Sequence, residues 1–215
     1  MCNSIKNDAG SEDDMMKRSI ALLALALLPT LANANLVVNG SFEADAQAAG
    51  TWYIYDNLTG WTGGRLGVEL RNNVAGAASE GVNYVELDTT GNSSIYQFIT
   101  TSAGTWYDLA FDYSPREGVA EASNQIKVWW GNDVLTTPPL KGFNAGPGNN
   151  WSTYTFKVQG TGNDKLFFDA LGTNDSYGGS LDNIRVTAVP EPETYAMLLA
   201  GLGMIGFMSR RRKGN

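Results

Sequence analysis

Acids and aromatic rings are the residues in this chain with chemistry to offer. Glu69, Glu86, Asp88, Asp112 and Glu117 are carboxylates spread along its middle, and glycoside hydrolysis needs only two of them at the proper separation. The other routes to catalysis lack parts. No histidine occurs in the 215 residues, so a serine or cysteine nucleophile has no imidazole base. The single cysteine, Cys2, lies in the polar extreme N-terminal stretch, outside any domain where a thiol or disulfide would act. The glycine-bearing stretches GPGNN and GLGMIG read as a loop and an apolar helix, not as nucleotide fingerprints. Pairs of acids arise by chance in any acidic domain. A weak glycoside hydrolase is therefore the enzymatic alternative, and non-catalytic binding is the default.

The aromatics supply that binding chemistry. Sugar rings present apolar C–H faces that stack on tryptophan or tyrosine, while their hydroxyls seek amides, acids and arginine. Trp129 is the first candidate, because strand alternation places it on a polar face beside Lys127. Trp106 follows, sharing a face with Asp108 and Asp112. Trp52, Tyr53 and Tyr55 fall in an early segment read as a long loop able to line a rim, with Trp61 plugging the sandwich edge. Arg71 and Arg116 are candidates for sugar hydroxyls or for ion pairs.

These side chains have to be positioned by strands. In WYDLAFDYS, Tyr107, Leu109, Phe111 and Tyr113 take one face and Trp106, Asp108 and Asp112 the other. QIKVWW sets Ile126, Val128 and Trp130 against Lys127 and Trp129, and WSTYTFKV turns Tyr154, Phe156 and Val158 inward. This period-two pattern predicts half-buried strands. Further strands are expected at Leu36–Asn39, Gly67–Arg71, Asn83–Leu87, Ser94–Thr100, Lys165–Ala170 and Leu181–Thr187, separated by turn signals such as GNSS, GTGND and NDSYGG. Eight or nine short strands predict an all-β sandwich. Residues 35–189 form this domain, with sixteen acids against eight bases and a net charge of −8. That balance argues against nucleic acid as a partner.

The two ends have a different character. MKRSIALLALALLPTLANA, from Met16, has the cationic, apolar and small-residue layout of a secretory signal peptide ending at Ala34. The polar, partly acidic stretch before it lies outside that layout, which puts the expected translation start at Met15 or Met16. At the other end, residues 190–215 run from Pro190, Glu191 and Pro192 through an apolar stretch, Tyr195 to Met208, to Arg210, Arg211, Arg212 and Lys213. As a helix that stretch would rise only about 21 Å, against roughly 30 Å of bilayer hydrocarbon. The cations would hold its end on the cytoplasmic side. Motif, order and position resemble the PEP-CTERM sorting signal of Gram-negative bacteria. The resemblance implies export across the inner membrane, transient anchoring by a short C-terminal transmembrane sorting helix, and recognition by an exosortase. The destination would be the cell surface or extracellular matrix of a polysaccharide-producing bacterium.

The domain carries a second resemblance. NLVVNGSFE, GWTGG, the run from SEGVNYVELDTTGNSSIYQ onward and the closing SYGGSLDNIRV resemble the galactose-binding-like jelly rolls, a superfamily with many ligands. The resemblance implies a jelly-roll β-sandwich. In its carbohydrate-binding members, positions matching Glu43 and Asp182 hold a structural Ca2+. Hard oxygens suit that ion, and a cation between two buried carboxylates would remove their repulsion. Absence of histidine disfavours zinc or blue copper. The expectation is thus a surface-associated module binding extracellular polysaccharide in a matrix or biofilm. The alternative is a structural matrix or adhesion protein without a sugar site.

Overall fold

The structure is a computed structural model, and it describes residues 34–190, 199–206 and 210. Twelve strands follow one another: β1 (Trp52–Tyr55), β2 (Asn57–Leu58), β3 (Trp61–Gly63), β4 (Val68–Asn72), β5 (Asn83–Glu86), β6 (Ser94–Thr100), β7 (Trp106–Ser114), β8 (Gln125–Trp130), β9 (Asp133–Val134), β10 (Ser152–Gln159), β11 (Asn163–Leu171) and β12 (Ser180–Ala188). They pair antiparallel into two six-stranded sheets, ordered β1-β4-β5-β12-β7-β10 and β2-β3-β6-β11-β8-β9. This is the expected all-β jelly-roll sandwich. The long non-sequential pairings, such as β12 between β5 and β7, are what close such a sandwich.

The inner faces come from the predicted alternation. Leu109, Phe111 and Tyr113 of β7, with Val68, Leu70, Val85, Leu181 and Val186, meet Ile95, Ile99, Ile126, Val128, Leu166 and Phe168 of the second sheet. Phe111 is the joint between the layers. Its ring meets Phe168 edge-on at 5.1 Å and is flanked by stacked Tyr154 and Phe156 at 5.9 and 6.0 Å. β-Branched and aromatic residues form these strands because they fill a pleated, half-buried surface.

Two expectations about the N-terminal part need correction. Residues 36–39 are not a strand: the segment through Asp45 is a series of turns and bends, because Asn39 and Phe42 take left-handed φ of 54° and 59°. The NGSFE stretch acts as a plug. A side chain on Gly40 would lie 1.9 Å from the Ile184 carbonyl, so only glycine permits that approach. Phe42 then fills the sandwich end against Trp61, whose indole N–H donates to the Asn39 carbonyl. Residues 52–63, expected as a loop, form β1, β2 and β3. WYIY has no polar alternation to reveal it, and strands of two or three residues are too short to show a period.

The N-terminal extension and expected signal peptide, together residues 1–34, fall outside the described residues except for Ala34. At the other end residues 199–206 are helical with exposed Leu199, Leu202, Met204 and Ile205. Among the described residues no helix is long and apolar enough to cross a membrane.

Because Phe111 touches both sheets, Phe111→Ala should lower unfolding free energy by about 3–5 kcal/mol. Urea unfolding followed by tryptophan fluorescence measures this.

Candidate functional site

Charge collects on the outer face of the first sheet. On β4 the core residues Val68 and Leu70 alternate with Glu69 and Arg71, and register sets Glu69 opposite Glu86 and Arg71 opposite Tyr84. Glu86 is fully buried. Its carboxylate receives Arg71 Nη2 at 3.1 Å, Arg116 Nη1 at 2.8 Å and the Gly178 N–H at 2.9 Å, while Arg71 Nη2 also reaches Glu69 Oε1 at 2.5 Å. Burial pushes Glu86 up to about 7 despite both guanidiniums, and raises Glu69 as well. The quartet of two acids and two arginines is neutral in sum.

Arg71, expected to reach a ligand, is thus the centre of a buried ion cluster. A side chain that bridges two buried carboxylates has no freedom to follow a sugar. Register places Trp52 opposite Arg71, and that ring is half exposed at the sheet edge. Arg116 rests its guanidinium 4.6 Å from the Tyr177 ring, a stacking contact that closes the cluster.

The remaining acids named for catalysis are also engaged. Asp112 accepts from Ser79 Oγ, Thr153 Oγ1 and Asn183 Nδ2. Burial pushes its carboxyl up, but those hydrogen bonds outweigh it and hold the group below its ordinary value. Glu117 Oε2 accepts the Gly148 N–H at 2.7 Å. Asp88 Oδ2 accepts the N–H groups of Asp175 and Ser176.

Glu43 and Asp182 converge on one loop. Glu43 Oε1 accepts the N–H of Val82 and of Asn83, both at 2.7 Å. Asp182 Oδ2 accepts the N–H of Ser79 at 2.7 Å and of Glu80 at 2.8 Å, and Oδ1 that of Asn183. Amide hydrogens thus stand against the oxygens assigned to Ca2+, and they supply part of the compensation a cation would give. This donor set fits loop anchoring better than metal ligation. Burial pushes Asp182 up to about 7, outweighing the amide hydrogen bonds, with the neighbouring Asp112 charge adding to the rise.

The outer face of the second sheet is different. Register lines up Thr62, Tyr96, Phe167, Trp129 and Val134 across five strands. Tyr96, Phe167 and Trp129 are all partly exposed, and Phe98 beside them is 56% exposed. Tyr96 lies 6.5 Å from Phe167 and 5.8 Å from Phe98, centroid to centroid. Lys165 Nζ sits 4.0 Å from the Tyr96 ring and 4.6 Å from Phe167, and Lys127 Nζ 4.6 Å from Trp129. Trp129 is therefore on the polar face beside Lys127, as alternation required. Its aromatic neighbours were missed, although SIYQFIT and NDKLFFDAL already place rings at their outward positions.

The other aromatic candidates do not join this row. Trp106 is half exposed at the start of β7 in the other sheet, where its carbonyl accepts the Val189 N–H. Tyr55 faces inward, packed on the core, and its hydroxyl donates to Gln47 Oε1. Of the sorting residues, Pro190 follows β12 and Arg210 is exposed and helical, while Glu191, Pro192, Arg211 and Arg212 lie outside the described residues.

Comparison with known proteins bears on both parts of the chain. Residues 188–213 match the PEP-CTERM protein-sorting motif. The chain is 31% identical over 156 residues to a multifunctional-autoprocessing repeats-in-toxin protein of Vibrio vulnificus, covering 70% of this chain; the chain spans 3% of that relative's length. Among solved structures it is similar to a family 35 carbohydrate-binding module of Clostridium thermocellum, with 15% identity, a TM-score of 0.45, and coverage of 65% of this chain and 99% of the module. It is also similar to the CBM35 of Paenibacillus barcinonensis, with 22% identity, a TM-score of 0.42, and coverage of 65% and 100%.

Asp182 and Glu86 give the fold a pH dependence. A carboxyl raised in the folded state contributes stability that is complete below its unfolded value and lost as pH rises through the folded one. Both groups reach about 7 when folded, so the urea midpoint should fall between pH 5 and pH 8. Asp182→Asn should flatten that slope, since one of its contributors is removed. Unfolding curves at a series of pH values check this.

Proposed function

We propose that this protein is an exported, non-catalytic module that holds extracellular polysaccharide on the outer face of its second sheet. One observation carries the proposal: three aromatic side chains from adjacent strands, Tyr96, Phe167 and Trp129, stand in one register row on an accessible face. Adjacent strands lie about 4.8 Å apart, so the row extends about 10 Å. That is room for a short run of sugar rings stacked on ring faces, with Lys127, Lys165 and Asp169 beside them for hydroxyls.

The sorting motif at residues 188–213 supports delivery to the cell surface, with an exosortase as the recognising enzyme and the C-terminal helix as a transient membrane anchor. A matrix or biofilm is the setting such delivery fits. The state of the carboxylates supports a binding role over hydrolysis. A glycosidase needs one free acid and one free base facing a common cleft, whereas Glu69 and Glu86 are tied to Arg71 and Arg116.

Affinity electrophoresis through gels containing bacterial exopolysaccharides tests the proposal. The wild type should be retarded by at least one polysaccharide. Trp129→Ala should weaken that retardation about tenfold or more, the equivalent of roughly 1.4 kcal/mol, and Trp52→Ala should leave it unchanged. Absence of retardation in every gel, or equal retardation of Trp129→Ala and wild type, would defeat the sugar platform.

A further inference from the structure

The hairpin joining β5 to β6 contains a polar pair left unmatched among the described residues. Ser93 N–H donates to the Leu87 carbonyl and Thr89 N–H to the Gly91 carbonyl, which brackets Asp88 and Asn92 as an antiparallel bridge. This is the non-hydrogen-bonded kind of pair, in which facing side chains come closest, with Cα atoms about 4.5 Å apart. Asp88 is fully buried. Asp88 Oδ1 and Asn92 Oδ1 are both out of contact with solvent, and neither receives a hydrogen bond from a described residue. The amide orientation of Asn92 is fixed by Nδ2 donating to the Gly172 carbonyl at 3.1 Å, so it is the oxygen that is left bare. Two facing positions of one bridge therefore each carry a buried acceptor with no donor among the described residues.

Asp88 differs in this from the other buried acids. Glu86 has two guanidiniums. Asp112, Asp164 and Asp182 each collect three hydrogen bonds. Asp88 accepts the backbone N–H groups of Asp175 and Ser176, at 3.2 and 3.1 Å, both on Oδ2, and the Tyr177 N–H also favours its charged form, which leaves Oδ1 as the bare oxygen. Asp88 has no ion pair among the described residues. A water molecule could donate to both bare oxygens, but it would leave the buried charge uncompensated, which is the larger cost.

We propose that Asp88 Oδ1 and Asn92 Oδ1 are ligands of a hard divalent cation seated between the 87–93 hairpin and the exposed 172–177 loop. The ligand chemistry points there: a carboxylate and an amide oxygen suit calcium-like ions and not soft metals. The loop above is already drawn in, since Asn174 Oδ1 accepts the Asn92 N–H at 2.8 Å and Asp175 takes the Ser123 hydroxyl. An ion there would tie the hairpin to the loop that carries Tyr177 and Gly178, and so to the Glu86 cluster. Any calcium dependence then originates at this hairpin and not at Glu43 and Asp182.

Thermal melting of the purified protein in millimolar CaCl2, against NaCl of equal ionic strength, reads this out. Calcium should raise the wild-type Tm by on the order of 5 °C. Asp88→Asn should abolish the increment and Glu43→Gln should keep it. Asn92→Ala supplies a second variant that keeps the buried acid in place, and calorimetry should show its calcium affinity reduced at least about tenfold. No increment in the wild type, an increment surviving in Asp88→Asn, undiminished affinity in Asn92→Ala, or an increment lost in Glu43→Gln would each overturn the assignment.

Discussion

Part of the first sheet is buried on both of its faces, and the fold has to satisfy charge there without water. Antiparallel sheets ordinarily leave one face wet. Here Glu69, Arg71, Glu86, Asp112, Ser114 and Asp182 all occupy outward positions and all are buried. Each buried charge lowers stability by several kcal/mol unless matched in place. The loops that cover this face therefore have their conformations set by the carboxylates beneath them. Ser79 and Glu80 present backbone N–H groups to Asp182, Val82 and Asn83 present theirs to Glu43, and Arg116 reaches down to Glu86. The covering layer is then a consequence of the charged strands, not an addition to them.

The two sheets divide the work accordingly. The outer face of the first sheet is sealed over β4 and β5 by the contacts that make it stable, so the Arg71–Glu86 cluster gives up the mobility and access a ligand site needs. On the outer face of the second sheet Lys127 and Lys165 hold their ammoniums over aromatic rings, partly exposed, where a charge costs little and a ring face can exchange partners. The sealed and the accessible outer faces of one sandwich thus differ in how each carries its charge.

The sequence made most of this architecture legible, and its failures have physical reasons. β6 and β7 were read to their ends because SIYQFIT and WYDLAFDYS alternate without interruption. The alternation also placed Trp129 on an outer face. It could not show that the outward residues of β4 and β5 are buried, because periodicity reports which face a residue takes and not what lies over that face. Hence Arg71 looked like a surface group. Leu36–Asn39 failed for another reason: its apolar pattern serves a plug with left-handed turns, and a short apolar run looks the same in either state. The aromatic row on the second sheet needed strand register, which pairs Tyr96 with Phe167 and Phe167 with Trp129 across more than 30 residues of sequence.

The acids show where sequence reasoning has to stop and geometry begin. The sixteen acids of residues 35–189 offer many carboxylates to any hypothesis that wants a general acid, a metal ligand or a nucleophile. What distinguishes them is the partner of each oxygen. A carboxylate facing guanidiniums is part of a charge cluster, and one facing a run of backbone N–H groups is a loop anchor, whatever its spacing in the chain had implied. Only an oxygen that is buried and left without a donor among the described residues asks for a further partner. By that criterion Glu43 and Asp182, which drew attention through their positions, are anchors, while Asp88, which sequence offered only as one carboxylate among five, is the acid whose surroundings are incomplete.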